Sequence, residues 1–323
     1  MSENVRLFFT NKVPLHYLPR IEEITLAYET YGELNTAKDN AILVIHGFSA
    51  SSHVASHNSA DTPGWWEWAV GPGKPLDTNK YYVVCANNFG GCFGSTGPVS
   101  PSPSISDIVF CQQQLQTELG IAQWYTVIGG SLGGMAVLEW VAAYPEKVQQ
   151  AVCLNAGAKL SFMGQGLMDI QQDLVRSLPG KGLYIARRLA SLSYVGEEFF
   201  KEQQLIQPNW QLKQSLQAEA EQFANRFNSD SYLSFLQTMG SYDLNPGDSP
   251  LAACACRPNV FLVGCVADVL FPEWIIEETQ LRFSEFVPIH KIIVNSQYGH
   301  DAFLMDEELY SNILQDFFHR HAS

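Results

Sequence analysis

One run constrains this chain more than any other: Trp124-Tyr-Thr-Val-Ile128 followed at once by Gly129-Gly-Ser131-Leu-Gly133. An apolar stretch of strand character stops at a small-residue pentapeptide. Helical periodicity resumes at Leu132 and continues to Tyr144, where Pro145 ends it. A turn that abrupt needs small residues, and it projects the serine hydroxyl beyond the carboxyl end of the strand. The helix that starts behind Ser131 adds free N–H groups and the positive end of its dipole.

The surroundings repeat the same alternation. Ala41–Ile45, Tyr81–Cys85, Ala151–Leu154, Val260–Val263 and Lys291–Val294 read as short buried strands, and Ile105–Leu119, closed by Gly120, reads as a helix. Continuous apolar strands imply a mainly parallel sheet covered on both faces. Ile21–Tyr31 alternates in part and reads as a longer antiparallel edge strand before it. Between about Lys159 and Asp248 the pattern changes to Gln-, Glu-, Leu- and Ala-rich helical spacing with no convincing strand. The expected organisation is therefore a sheet core from 1–158 and 249–323 with a helical lid, 159–248, inserted. Strand, Gly-x-Ser-x-Gly and helix in this order form the nucleophile elbow of the α/β-hydrolase fold.

Composition excludes several function classes. Hydrophobic residues make up 46% and charged residues 16%, enough apolar material for a large core and too little charge for disorder. A net charge of −14 argues against general affinity for nucleic acid or anionic membranes. The N-terminal residues lack the basic patch and apolar run of a signal peptide, and no apolar stretch is long enough to span a bilayer. Seven scattered cysteines fit free thiols in a reducing cytoplasm. Cys254-Ala-Cys256 has the wrong spacing for a zinc knuckle. His53 and His57 share helical spacing for a metal but lack a suitable carboxylate partner, so no metal site is expected.

A serine nucleophile needs a base, and the base needs an orienting acid, in the chain order Ser, Asp or Glu, His. Four histidines follow Ser131. His319 and His321 sit in the terminal tail, and His290 opens a strand. His300, in a loop after Ile292–Val294 and before the last helix, is placed as the base. Asp268, ending the strand Phe261–Val266, is placed as the acid, although a capping role ahead of Pro272 would suit it too. The oxyanion needs two backbone N–H donors. Leu132 supplies one, and the loop His46-Gly-Phe48-Ser supplies the other through Phe48. His46 reads as a support for that loop.

These residues resemble one family closely, the homoserine O-acyltransferases of the α/β-hydrolase superfamily. The matching stretches run nearly end to end. They include Leu26-Ala-Tyr-Glu-Thr-Tyr-Gly32, His46-Gly-Phe-Ser49, Gly64-Trp-Trp66, Val70-Gly-Pro-Gly-Lys-Pro75, Asp77-Thr78 and Gly90-Gly-Cys-Phe-Gly-Ser-Thr-Gly-Pro98. Gly129–Gly134, Glu139-Trp140, Ala267-Asp-Val-Leu-Phe-Pro272 and Gly299-His-Asp-Ala-Phe-Leu304 complete the match. The resemblance independently places the triad on Ser131, Asp268 and His300. It also implies acceptor-binding roles for Arg187, Tyr194 and Asp301, the arginine meeting a carboxylate and the aspartate an ammonium.

What the resemblance implies is a step of amino-acid (methionine) biosynthesis: acyl transfer from acyl-CoA, acetyl favoured, through an acyl-Ser131 intermediate to the hydroxyl of L-homoserine. No permanently bound cofactor is implied. A homodimer through the lid is suggested, with Trp65 and Trp66 narrowing the entrance against water. Two stretches depart from the family pattern: the short loop Val99–Ser104 and Met168-Asp169, which replaces an Asn-Glu pair. Succinyl-CoA as donor and L-serine as acceptor stay open. So do a serine esterase or thioesterase of the same fold and a non-catalytic relative.

Overall fold

The computed structural model describes residues 4–14 and 21–320. Its elements run in chain order β1 (Arg6–Thr10), β2 (Ile24–Tyr31), β3 (Ala41–Ile45), the two-residue strands β4 (Val70–Gly71) and β5 (Leu76–Asp77), and β6 (Tyr82–Ala86). Then come α1 (Ile105–Glu118), β7 (Trp124–Gly130), α2 (Leu132–Ala143) and β8 (Val148–Leu154). Five helices follow: α3 (Phe162–Ser177), α4 (Gly182–Tyr194), α5 (Glu197–Ile206), α6 (Leu212–Arg226) and α7 (Ser229–Gly240). The chain closes with β9 (Asn259–Cys265), α8 (Glu273–Phe283), β10 (Ile289–Val294), the short α9 (Ala302–Met305) and α10 (Glu307–Arg320).

Eight strands form one sheet in the order β1-β2-β6-β3-β7-β8-β9-β10. All neighbours from β6 to β10 are parallel, whereas β1–β2 and β2–β6 are antiparallel. The α/β-hydrolase fold expected from the sequence is present. One expectation needs correcting: β2 is antiparallel but interior, because β1 pairs along it and takes the edge. The sequence gives β1 away poorly. Its Leu7 and Phe9 are exposed and only Phe8 is buried, so no long apolar run marks it.

The unbroken apolar runs are explained by two cores, one on each face. Along β3, Ala41, Leu43 and Ile45 point into the larger core with α1, α2 and α8. Ile42 and Val44 point into a second core with Val54, Trp66, Val70, Leu76 and the α10 side chains Tyr310, Leu314 and Phe317. Local signals start the helices as the chemistry requires. Ser104 and Asp107 form a reciprocal capping box at α1, and Ser161 and Asn228 cap α3 and α7 through their side chains.

Helices α3–α7 lie between β8 and β9 in the chain, and an isolated antiparallel bridge between Lys159 and Asp243 joins the two ends of this segment. The segment is tied to the sheet by aromatic packing: the ring of Phe48, on the β3 loop, meets Tyr232 at 4.9 Å and Phe235 at 5.6 Å, both on α7. Among the described residues no helix is long and apolar enough to cross a membrane.

Candidate active site

Ser131 sits between β7 and α2 with φ 57° and ψ −126°, a conformation that costs a non-glycine residue about 1–3 kcal/mol. Its surroundings impose it. A Cβ on Gly129 would lie 2.6 Å from the Ile45 carbonyl oxygen, and one on Gly133 only 2.1 Å from the same atom. The elbow can therefore press against β3 only with glycine at both positions. Ser131 N–H donates to the Leu154 carbonyl at 3.1 Å, which fixes the turn to β8.

His300 lies in a short 3₁₀ turn, Gly299–Asp301, between β10 and α9. Its Nε2 is 2.8 Å from Ser131 Oγ, and its Nδ1 is 2.8 Å from Asp268 Oδ2. Asp268 does both things the sequence allowed it: Oδ1 accepts from the N–H groups of Leu270 at 2.8 Å and Phe271 at 3.0 Å, shaping the loop, while Oδ2 faces the imidazole. All three side chains are buried. Burial alone would push the imidazole down, but the Asp268 carboxylate, by charge and hydrogen bond, holds His300 above its ordinary value.

A cavity of about 50 Å³ opens on this pair, lined by Gly47, Phe48, Ser49, Trp65, Ser131 and His300 among others. A Cβ on Gly47 would come within 3.8 Å of Ser131 Cβ, so the β3 loop runs directly beside the nucleophile. Leu132 opens α2 next to it. Phe48 and Leu132 thus flank Ser131 from two elements. Trp65 lines the cavity, but Trp66 does not: it is buried in the core, and its indole N–H donates to the Phe303 carbonyl at 2.9 Å. The pairing of both tryptophans at the entrance is therefore corrected to Trp65 alone.

Tyr194, at the end of α4, and Asp301 line the same cavity. Burial pushes the Tyr194 phenol up to about 12 and raises the Asp301 carboxyl above its ordinary range. Arg187, two turns before Tyr194 on α4, is absent from the cavity wall. Its guanidinium lies 5.5 Å from the Tyr194 ring and 4.7 Å from the Phe223 ring, and it is bonded to Glu219 on α6. That partner was not visible in the sequence, because α4 and α6 meet only through tertiary packing.

The alpha/beta hydrolase fold family matches residues 40–304. A homoserine O-succinyltransferase of Janthinobacterium sp. (strain Marseille) is 32% identical, aligned over 97% of this chain and 93% of its own length. A homoserine O-acetyltransferase of Leptospira biflexa serovar Patoc is 32% identical over 92% of this chain and 88% of its own. This chain belongs to the homoserine O-acyltransferase family. Among solved structures, a homoserine O-acetyltransferase from Bacillus anthracis superposes with a TM-score of 0.88 at 23% identity, covering 99% of this chain and 98% of that one. The structure of esterase E22 does so with a TM-score of 0.86 at 20% identity, covering 97% and 99%. The fold is thus common to proteins named as transferases and as esterases.

Within this homoserine O-acyltransferase family member the remaining histidines separate cleanly. His46 supports the β3 loop: its Nε2 accepts from Asn88 N–H at 3.1 Å, and its Nδ1 lies 2.7 Å from the Gly47 carbonyl. Burial pushes its pKa down to about 4, so it stays neutral. His290 is exposed on β10. His319 belongs to α10 rather than a loose tail, and His321 lies outside the described residues. The reading of His53 and His57 is corrected twice. No helix runs through them, and a carboxylate does accompany them, since Glu29 of β2 lies 3.0 Å from one ring and 2.8 Å from the other.

One further residue escaped the sequence reading. Asn155, immediately after β8 and fully buried with φ 44°, donates from Nδ2 to the carbonyls of Gly299 and His300 at 3.0 Å each. Its Oδ1 accepts from Tyr310 at 2.6 Å. It clamps the base-bearing turn to the sheet. The only sequence signal for it is a polar residue closing an apolar strand before Ala156-Gly157.

Proposed function

We propose that this protein transfers an acyl group to the side-chain hydroxyl of L-homoserine, with acyl-CoA as donor and Ser131 as the covalent carrier. The observation that carries this reading is the Ser131–His300–Asp268 chain of contacts with Asp301 on the wall of the same cavity. Names of relatives aligned over nearly the whole chain support homoserine as acceptor.

His300 Nε2 takes the proton of Ser131 as Oγ attacks the thioester carbonyl. The N–H groups of Phe48 and Leu132 receive the developing oxyanion. The tetrahedral centre collapses, the carbon–sulfur bond breaks, and the imidazolium returns its proton to the leaving thiolate. In the second half the homoserine hydroxyl gives its proton to His300 and attacks the acyl-serine ester, and Ser131 leaves with that proton. Asp301 receives the acceptor ammonium. Arg187 lies off the cavity wall, so we assign it the acceptor carboxylate only on rearrangement around Tyr194, through Nη1, the guanidinium nitrogen not bonded to Glu219.

Transfer outruns hydrolysis only if the acceptor is held and water excluded. We assign both tasks to the inserted helices, acting as a lid over 159–248, together with Trp65. Seven free cysteines favour a reducing, cytoplasmic setting, where the product would enter methionine biosynthesis.

A second reading, serine esterase, draws on the closeness of the fold to esterase E22. Incubation with acetyl-CoA, with and without L-homoserine, separates them. Acyl transfer predicts thiol release that depends on homoserine and yields O-acetylhomoserine; release independent of the amino acid overturns it. Parallel assays with succinyl-CoA and L-serine fix donor and acceptor.

A further inference from the structure

The geometry points to a divalent-cation site of zinc type, built from Glu29 on β2 and His53 and His57 in the loop after β3. Their ligand atoms, one carboxylate oxygen and two imidazole nitrogens, all lie within 4.8 Å of one another. Glu29 Oε2 is the shared vertex, 3.0 Å from His53 Nδ1 and 2.8 Å from His57 Nε2. Ligands at about 2.0–2.1 Å from a tetrahedral zinc stand roughly 3.3 Å apart, so each carboxylate–imidazole pair needs to open by only a few tenths of an ångström, the two imidazole nitrogens lying within 4.8 Å of one another.

The surroundings are those of a built site. His53 Nε2 is 2.8 Å from the Thr62 carbonyl, the second contact that commonly fixes a ligating imidazole. That contact requires Nε2 to carry the N–H. Nδ1, which a neutral ring then leaves as a lone pair, faces the carboxylate oxygen. When the ring is charged a proton bridges these two atoms at 3.0 Å, and a metal cation binds there by displacing that proton. Ser52 Oγ donates to the other carboxylate oxygen at 3.0 Å, and Tyr31 stacks on His57 with ring centroids 4.4 Å apart. Glu29 is 2% exposed while His53 and His57 are 20% and 17% exposed, so the anion is enclosed and the imidazoles give a path in from solvent.

The donor set of two imidazoles and one carboxylate suits zinc and leaves a fourth position for water. The ion would be structural. Residues 50–65 contain no helix or strand, and this loop carries Trp65 to the catalytic cavity. Trp65 hangs on the same stretch, its N–H on the His53 carbonyl at 3.3 Å and its indole N–H on the Ser51 carbonyl at 2.8 Å. An ion joining β2 to His53 and His57 would hold that wall in place.

The test is metal content and cobalt substitution on the full-length chain. The site predicts about one equivalent of zinc per chain after dialysis against zinc and gel filtration, and a thermal midpoint raised by zinc and lowered again by a chelator. Co²⁺ added to the stripped protein should give visible absorption without thiolate charge-transfer bands. Glu29→Gln and His57→Ala should each weaken Co²⁺ binding at least tenfold, and Cys254→Ser with Cys256→Ser should leave it unchanged. Failure of the wild-type chain to bind a stoichiometric ion overturns the site. So does binding that survives in a folded His57→Ala protein or vanishes with the cysteines. Should His57→Ala not fold, the wild-type cobalt spectrum decides alone: thiolate bands or no binding reject the assignment.

Discussion

Arg187 and Glu219 are already bonded to one another, Nη2 to Oε1 at 2.6 Å and Nε to the same oxygen at 3.2 Å, before any acceptor arrives. On the proposed reading, a substrate carboxylate would have to share the guanidinium with a resident carboxylate. Glu219→Gln should therefore lower the KM for L-homoserine while leaving acylation of Ser131 by acetyl-CoA unchanged. Arg187→Ala should raise that KM by about 10–100-fold, the equivalent of one charged hydrogen bond. Separate half-reaction kinetics check both, and equal losses in the two halves would remove Arg187 from the acceptor site.

The pH dependence follows from His300. Its folded value lies above the ordinary 6.5, and catalysis needs the neutral ring, so kcat/KM should fall as pH drops through that raised value. Stability runs the other way: the favourable His300⁺–Asp268⁻ contact is fully present below about 6.5 and is lost as pH rises through the folded value. Asp268→Asn removes the main opposition to burial and leaves only the charge of Asp301 against it. The acid limb should then move to lower pH, with kcat reduced on the order of 10⁴-fold. A pH–rate profile of both proteins checks the sign.

Asn155→Ala would strip partners from two buried carbonyls and the Tyr310 hydroxyl. A loss of about 2–4 kcal/mol in unfolding free energy is expected, with a fall in kcat as the His300 turn loosens. Urea denaturation and steady-state rates measure the two effects.

Trp65→Ala should widen the cavity mouth and admit water to the acyl-enzyme. The ratio of free acetate to O-acetylhomoserine formed from acetyl-CoA should rise severalfold. An unchanged ratio would show that Trp65 does not exclude water.

Much of the Ser131–His300–Asp268 arrangement was readable in the sequence, because a strand–turn–helix signal leaves Ser131 little freedom and chain order then narrows which histidine and aspartate can meet it. The sheet was readable for the same reason: strands buried on both faces have to be apolar throughout. What stayed hidden depends on distant partners. Glu219 looks like a solvated helix residue until α6 packs on α4. Glu29 looks like the polar phase of a strand until the loop after β3 brings two imidazoles to it. Strand β1, with two of its large side chains exposed, carries too little apolar signal to compete with a loop.

The helices α3–α7 leave the sheet after Leu154 and return at Asn259, yet β8 and β9 pair directly, Leu154 opposite Val263. For the sheet, roughly a hundred residues thus serve as one connection whose ends already meet. Lengthening such a connection from a handful of residues costs only about 2–3 kcal/mol of closure entropy, since each doubling adds about 0.6 kcal/mol. The inserted helices can accordingly be rebuilt, shortened or exchanged between relatives with little thermodynamic consequence for the sheet that carries Ser131. Proteins with nearly superimposable sheets are thereby free to diverge in the segment inserted at this point, which behaves as a replaceable module.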